Sequence, residues 1–462
     1  MNKGNGIVPG SFRDPSGFLF TEGGVLYRQV NRQYRDNYDA LVESGLLEQL
    51  TGEGFLVRHD VADIPAPVPE TAYLVIRPER VPFISYPYEW SFSQLKDAAL
   101  ATLRVQNAAL ERGLVLKDAS AYNIQFAGGR PVLIDTLSFE AYEEGRPWVA
   151  YRQFCQHFLA PLALAALADI RLMQLLRVYI DGVPLDLAAA LLPFRSRLRF
   201  GLLTHLHLHA RSEKHYEVKS VDAMEIRGVT RNALLGLIGS LEKTVTKLRW
   251  KAAGTEWAEY YEETNYSSDA MERKKSLVSD YLGRVKPGVV WDLGANTGVF
   301  SRIAAEGGAL TVSMDNDPAC VERNYLDSLE CGYGNILPLL VDLANPSPGT
   351  GWRNREREPL LSRGPADVAL ALALVHHLAI SNNVPFTKLA GFFSDLCRHL
   401  VIEFVPKSDS QVRRLLLSRE DVFGEYDREH FEAAFEERFA LEAKDEIPGT
   451  GRTLYLMRKK EE

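Results

Sequence analysis

Apolar and polar positions alternate with a period of two through GFLFTEGGVLYRQV, and the run breaks at Gly23 and Gly24, a pattern that predicts a hairpin. The pattern then lengthens: Tyr34, Tyr38, Leu41, Leu46 and Leu47 recur at roughly helical spacing within Asn31 to Leu50. TAYLVIRPERVPFISYP contains β-rich runs broken by proline, and from Ser91 to Arg112 one long amphipathic helix is expected. A strand pair follows in NIQFAGGRPVLID, turning at Gly128 and Gly129. From Trp148 to Lys251 the chain reads as mostly helical, rich in Leu and Ala with interspersed arginines. At Ala252 an aromatic-rich helical lead-in begins, and after it short apolar strands alternate with helices, the signature of βαβ units and a parallel sheet.

Length makes two domains the natural division, because 462 residues exceed the roughly 250 to 300 at which one core stops growing. We place the boundary between residues 1–250 and 251–462. Fifty-three Lys and Arg against 61 Asp and Glu leave a net charge of -8, which argues against nucleic acid as partner. The local basic strip Lys243, Lys247, Arg249 and Lys251 is flanked by Glu242 and Glu256 and reads as a solvated helix face. Cys155, Cys320, Cys331 and Cys397 form no CxxC pair, so a cytoplasmic protein without a disulfide framework or structural metal is expected. The longest apolar stretch, Phe158 to Ala168, falls short of the roughly 20 residues that span a bilayer, and no membrane involvement is expected.

The chemistry concentrates in VVWDLGANTGVFSRIAA. A strand ends in Asp292, a turn carries Gly294, Asn296 and Gly298, and a helix starts near Val299 or Phe300, which brings backbone and a helix N-terminus close to a ligand. A second strand ends in Asp315, about twenty residues on, where a carboxylate can accept both hydroxyls of a ribose. A third, ILPLLVD, ends in Asp342. A fourth is expected to run to His376 and His377, and a fifth carries Glu403. Polar residues thus gather at the carboxyl edge of the sheet, where open α/β sheets bind ligands.

This order of motifs resembles the class I S-adenosylmethionine-dependent methyltransferases over roughly 200 residues. The resemblance implies an α/β, Rossmann-like domain in which Asp292 and the Gly294–Gly298 turn hold the methionine end of S-adenosylmethionine, Asp315 the ribose and Asp342 the adenine. Asn296 departs from it, standing where many relatives have glycine, although Asn tolerates a left-handed backbone. A dinucleotide-binding Rossmann domain competes for the same turn, but GxGxxG spacing is lacking. For an acceptor that must lose a proton, His376 or His377 is the candidate base and Glu403 an alternative. Tyr260, Tyr261 and Tyr266 are candidates to cover cofactor or acceptor, or simply to pack the lead-in helix.

In LKDASAYNIQFAGGRPVLIDTLSFE, the spacing of Asp118, Asn123 and Asp135 resembles the catalytic loop and metal-binding aspartate of the protein kinase and aminoglycoside phosphotransferase superfamily. That resemblance implies an α+β, kinase-like, largely helical N-terminal domain binding ATP and magnesium. Leu116 and Thr136 depart from the pattern and no VAIK-like lysine is visible, leaving Arg28 as the candidate phosphate-binding cation. An active phosphotransferase, a degenerate kinase-like binding module and an accidental match all remain open. His205, His207 and His209 read as helical, where only the first and last share a face, so no metal site is expected.

Strings such as VPFISYPYEWSFSQLKDAAL and PWVAYRQFCQHFLAPLAL are similar to a bacterial family of two-part methyltransferases related to rhizobial host-specific nodulation proteins, over nearly the whole chain. The resemblance implies methyl transfer to an oxygen or nitrogen of a small-molecule or carbohydrate acceptor.

Overall fold

A computed structural model describes residues 6–211, 228–252, 267–417 and 420–461. The chain divides into two compact units, the first comprising Met1–Lys251 with Thr350–Arg357, the second Ala252–Gly349 with Glu358–Glu462. The first unit is therefore discontinuous in sequence.

In the first unit, strands β1 (Gly6–Ile7), β2 (Gly17–Glu22), β3 (Val25–Asn31), β4 (His59–Val61) and β5 (Ala72–Pro78) form an antiparallel sheet of order β1-β2-β3-β5-β4. Gly23 and Gly24 both have positive φ, which lets two residues close the β2–β3 hairpin. The helix expected over residues 31–50 is two helices, Arg35–Glu43 and Leu46–Gly52, because Gly45 turns left-handed between them. The turn Arg32–Tyr34 and the first of these helices lay Tyr34 and Tyr38 onto Val30, Ile76 and Leu137.

Ser91 caps the long helix Phe92–Glu111 through a reciprocal box with Gln94: its hydroxyl accepts the Gln94 N–H, and the Gln94 side chain accepts the Ser91 N–H at 2.9 Å. Beyond it β6 (Leu114–Leu116) pairs with β9 (Phe139–Ala141), and between them β7 (Ile124–Ala127) and β8 (Arg130–Leu133) make the hairpin expected at Gly128 and Gly129. The following helical region is broken into short pieces with wide turns at Cys155–Leu159 and Leu203–Leu208.

The second unit is built on one seven-stranded sheet. Its strands are β10 (Val289–Leu293), β11 (Leu310–Asp315), β12 (Ile336–Leu340), β13 (Ala366–Ala371), β14 (Cys397–Phe404), β15 (Phe439–Glu446) and β16 (Thr453–Lys459), in the order β12-β11-β10-β13-β14-β16-β15. The first five run parallel, and β16 inserts antiparallel between β14 and β15. This Rossmann-like order reverses direction between β10 and β13, which opens a crevice at the carboxyl edge there. The helix Ser268–Val285 covers one face, packing Leu277, Val278 and Tyr281 onto Val290, Val368, Val401 and Leu456. One strand is shorter than its sequence suggests. β13 stops at Ala371, since Ala373 takes a positive φ and the chain turns into a loop and a wide helical turn, His377–Ser381. His376 and His377 therefore sit beyond the strand, not on it.

Candidate functional site

The crevice is shaped first by backbone. Gly294, Asn296 and Gly298 all adopt positive φ, and the N–H groups of Gly294 and Ala295 donate to the Met314 carbonyl, locking the turn onto the tip of β11. A Cβ on Gly298 would lie 2.2 Å from the Asn324 side-chain oxygen, so only glycine fits where the helix Val299–Glu306 begins.

Two carboxylates flank this turn. Asp292, on β10, is buried and accepts from the Ser301 hydroxyl at 2.6 Å; Ser301 meets Ser313 at 2.8 Å, which in turn accepts from the Asn324 amide at 2.6 Å. Asp315 ends β11, accepting the Asn296 N–H at 2.7 Å and the Asp317 N–H at 2.9 Å. Burial pushes both acids up to about 6; the Ser301 hydrogen bond opposes it at Asp292, and backbone N–H groups oppose it at Asp315. Asp342 lies two residues past β12, exposed, with one oxygen turned onto the Ala344 N–H at 2.9 Å.

Past β13, the His376 and His377 rings lie 4.2 Å apart. His376 is buried with Nδ1 unpartnered, whereas His377 is partly exposed. Burial holds His376 well below the usual imidazole range, and burial together with Arg452 lowers His377 to about 4, so both rings are neutral at pH 7.

Glu403 does not suit the role of proton acceptor. It is wholly buried; one oxygen takes Lys274 Nζ at 2.7 Å and the Ala373 N–H at 2.8 Å, the other faces Arg452 at 3.4 Å, and Arg452 also binds Asp409 at 2.9 Å. A carboxylate so neutralised holds the loop after β13 in place. Lys274 and Arg452 are residues that sequence reasoning missed. Lys274 was legible in principle, because Ala270, Leu277, Val278 and Tyr281 put it on the buried stripe of its helix, while the adjacent Lys275 faces outward. Tyr260, Tyr261 and Tyr266 lie outside the described residues.

In the first unit Asp118, Asn123 and Asp135 are brought together around the β6–β7 connection. The Asp118 carboxylate accepts the Ser120 N–H at 2.9 Å, and burial, reinforced by the charge of Asp135, raises its pKa. The Ile134 N–H donates to the Asn123 carbonyl at 2.8 Å, tying this loop to the segment that carries Asp135. Asp135 is already occupied: Arg28 binds one oxygen at 2.5 Å, Ser138 the other at 2.5 Å, and the Leu137 N–H adds a bond at 3.1 Å. Burial works against its charge, but Arg28 together with the Ser138 and Leu137 hydrogen bonds outweighs it and holds the carboxyl below the usual range. Arg28, expected to bind phosphate, instead joins Asp135 and, at 3.5 Å, Asp14.

Of the three histidines His205, His207 and His209, the first two are held by hydroxyls and the third stacks on the Tyr151 ring at 4.9 Å. His205 lies between Tyr151 at 2.8 Å and Ser240 at 2.9 Å, and His207 meets Ser196 at 2.8 Å. Among the described residues no three His, Cys, Asp or Glu side chains gather as metal ligands would.

No family model matches the chain. Among solved structures, it is similar to the N-methyltransferase NodS from Bradyrhizobium japonicum WM9, with 13% identity, a TM-score of 0.32 and coverage of 42% of this chain and 99% of that one. It is also similar to the bifunctional kinase-methyltransferase WbdD, with 16% identity, a TM-score of 0.31 and coverage of 45% and 43%. Likenesses this distant add nothing to an assignment of function. The curated nodulation protein NoeA of Rhizobium meliloti (strain 1021) is another matter: 35% of residues are identical over 465 positions, covering 99% of this chain and 97% of that protein. By that full-length identity the chain belongs to the NoeA family of nodulation proteins.

Proposed function

We propose that this chain is an S-adenosylmethionine-dependent methyltransferase acting on an oxygen or nitrogen of a small-molecule or carbohydrate acceptor. The observation that carries the reading is Asp315: a buried carboxylate at a strand tip, beside a turn whose positive-φ residues Gly294, Asn296 and Gly298 leave backbone that a ligand can approach closely. Ionised, it accepts the two ribose hydroxyls, while Asp292 and the Gly294–Gly298 backbone hold the methionine end and Asp342 receives the adenine amino group. When bound, S-adenosylmethionine supplies an electrophilic methyl on a sulfonium; the S–CH3 bond breaks as the acceptor bond forms, and its electron pair stays on sulfur. The chain's own work is alignment and proton removal. His377, neutral and partly exposed, takes the acceptor proton, with buried His376 behind it.

Calorimetric titration of the whole chain with S-adenosylmethionine tests this. Binding to the wild type that disappears in Asp315→Ala supports it; no binding to the wild type sinks it.

A second reading concerns the first unit. The convergence of Asp118, Asn123 and Asp135 favours a kinase-like domain, and the Arg28–Asp135 ion pair favours one that binds a ligand without phosphoryl transfer, since magnesium would have to displace the guanidinium. The chemistry of the donor set thus fits ATP and magnesium poorly. Titration with ATP and magnesium would reverse this reading if wild type bound and Asp135→Ala did not.

A further inference from the structure

The strip FRSRLRF, Phe194 to Phe200, leaves its apolar side chains outside the fold. Phe194 is 72% exposed, Leu198 and Phe200 78% each. Arg195, Arg197 and Arg199 alternate with them, and no Asp or Glu occurs between Asp186 and Glu213. The next helical turns seat this strip on the helix Arg231–Lys247: a Cβ on Gly201 would overlap the Thr244 hydroxyl, and His205 meets Ser240 at 2.9 Å. Asp186 lies near Arg197, and Glu242 occupies another face of the helix.

We propose that Phe194, Leu198 and Phe200, interleaved with Arg195, Arg197 and Arg199, dock the protein reversibly on an anionic lipid surface. Exposed apolar side chains enter the headgroup boundary while cations meet lipid phosphates, and neither contribution alone makes a stable attachment. Among the described residues no helix is long and apolar enough to cross a membrane, so the proposed contact is surface attachment. A nucleic acid fits less well, because Leu198, at the centre of the exposed apolar side chains, offers no stacking face to a base. The inference is independent of the proposed methyl transfer.

The test is flotation of the whole chain with vesicles of phosphatidylcholine alone or mixed with phosphatidylglycerol. We expect the protein to float with the mixed vesicles and not with phosphatidylcholine, and to be released by high salt. The triple variant Phe194→Ser, Leu198→Ser, Phe200→Ser should lower the bound fraction about tenfold. Arg197→Ala with Arg199→Ala should remove the preference for phosphatidylglycerol; retained S-adenosylmethionine binding or an unchanged circular dichroism spectrum checks folding. Wild type that stays in solution, or apolar variants that float as well as wild type, overturns the proposal. So does a patch-dependent dimer in sedimentation velocity, or oligonucleotide binding lost in the same variants, when vesicles are not bound.

Discussion

On the proposed function, Asp315 couples cofactor binding to pH. Its folded-state carboxyl is raised to about 6, above an ordinary Asp near 4, so the folded chain holds this proton more tightly than the unfolded chain does. Its contribution to stability is accordingly present below pH 4 and lost as pH rises through 6. Ribose binding needs the ionised form, so affinity for S-adenosylmethionine should fall by up to about tenfold per pH unit below 6, measured calorimetrically between pH 7.5 and 5. Asp315→Asn should bind weakly with no such slope from this group. Lys274 offers a stability test: Lys274→Met leaves buried Glu403 with Arg452, shared with Asp409, as counter-charge and should cost about 3 kcal/mol in urea unfolding, against about 0.5 kcal/mol or less for Lys275→Met. Asp292 and Asp315 were legible because strand tips and a glycine turn lie within some twenty residues of sequence. The neutralisation of Glu403 was not, because Lys274 and Arg452 reach it from 129 and 49 residues away.

The turn and helix following β10 form the element on which the site depends. Gly298→Ala combines a left-handed backbone with a Cβ driven into Asn324, and should cost about 2 to 4 kcal/mol by chemical denaturation while abolishing cofactor binding. Gly308→Ala, at positive φ but with no atom within 4 Å of the added Cβ, separates strain from collision and should cost about 1 kcal/mol with binding retained. Strongly periodic elements such as Phe92–Glu111, with its Ser91 cap, match their sequence reading to a residue at each end. The end of β13 does not. LALALVHHL is uniformly apolar up to the histidines, and only the Glu403 hydrogen bond to the Ala373 N–H reveals where the chain leaves the sheet.

For the whole molecule, the first unit includes Thr350–Arg357, far from the rest of it in sequence. Arg357 lies over the Tyr122 ring at 4.4 Å, and Arg13 reaches the Glu356 carboxylate at 2.5 Å. A fragment ending at Lys251 lacks these contacts and should be less stable than the same unit in the intact chain, by about 1 to 3 kcal/mol, read as a lower calorimetric transition. The sequence by itself determined what local pattern can encode: hairpins at paired glycines, a capped helix, and five strands whose tips carry acids or precede histidines. The tertiary structure alone decided which charges are silenced. Arg28 on Asp135, and Lys274 and Arg452 on Glu403, are pairings between distant segments. A charge's environment is set by what folds against it, and hydrophobic periodicity records the face a residue occupies without naming its neighbour across the fold.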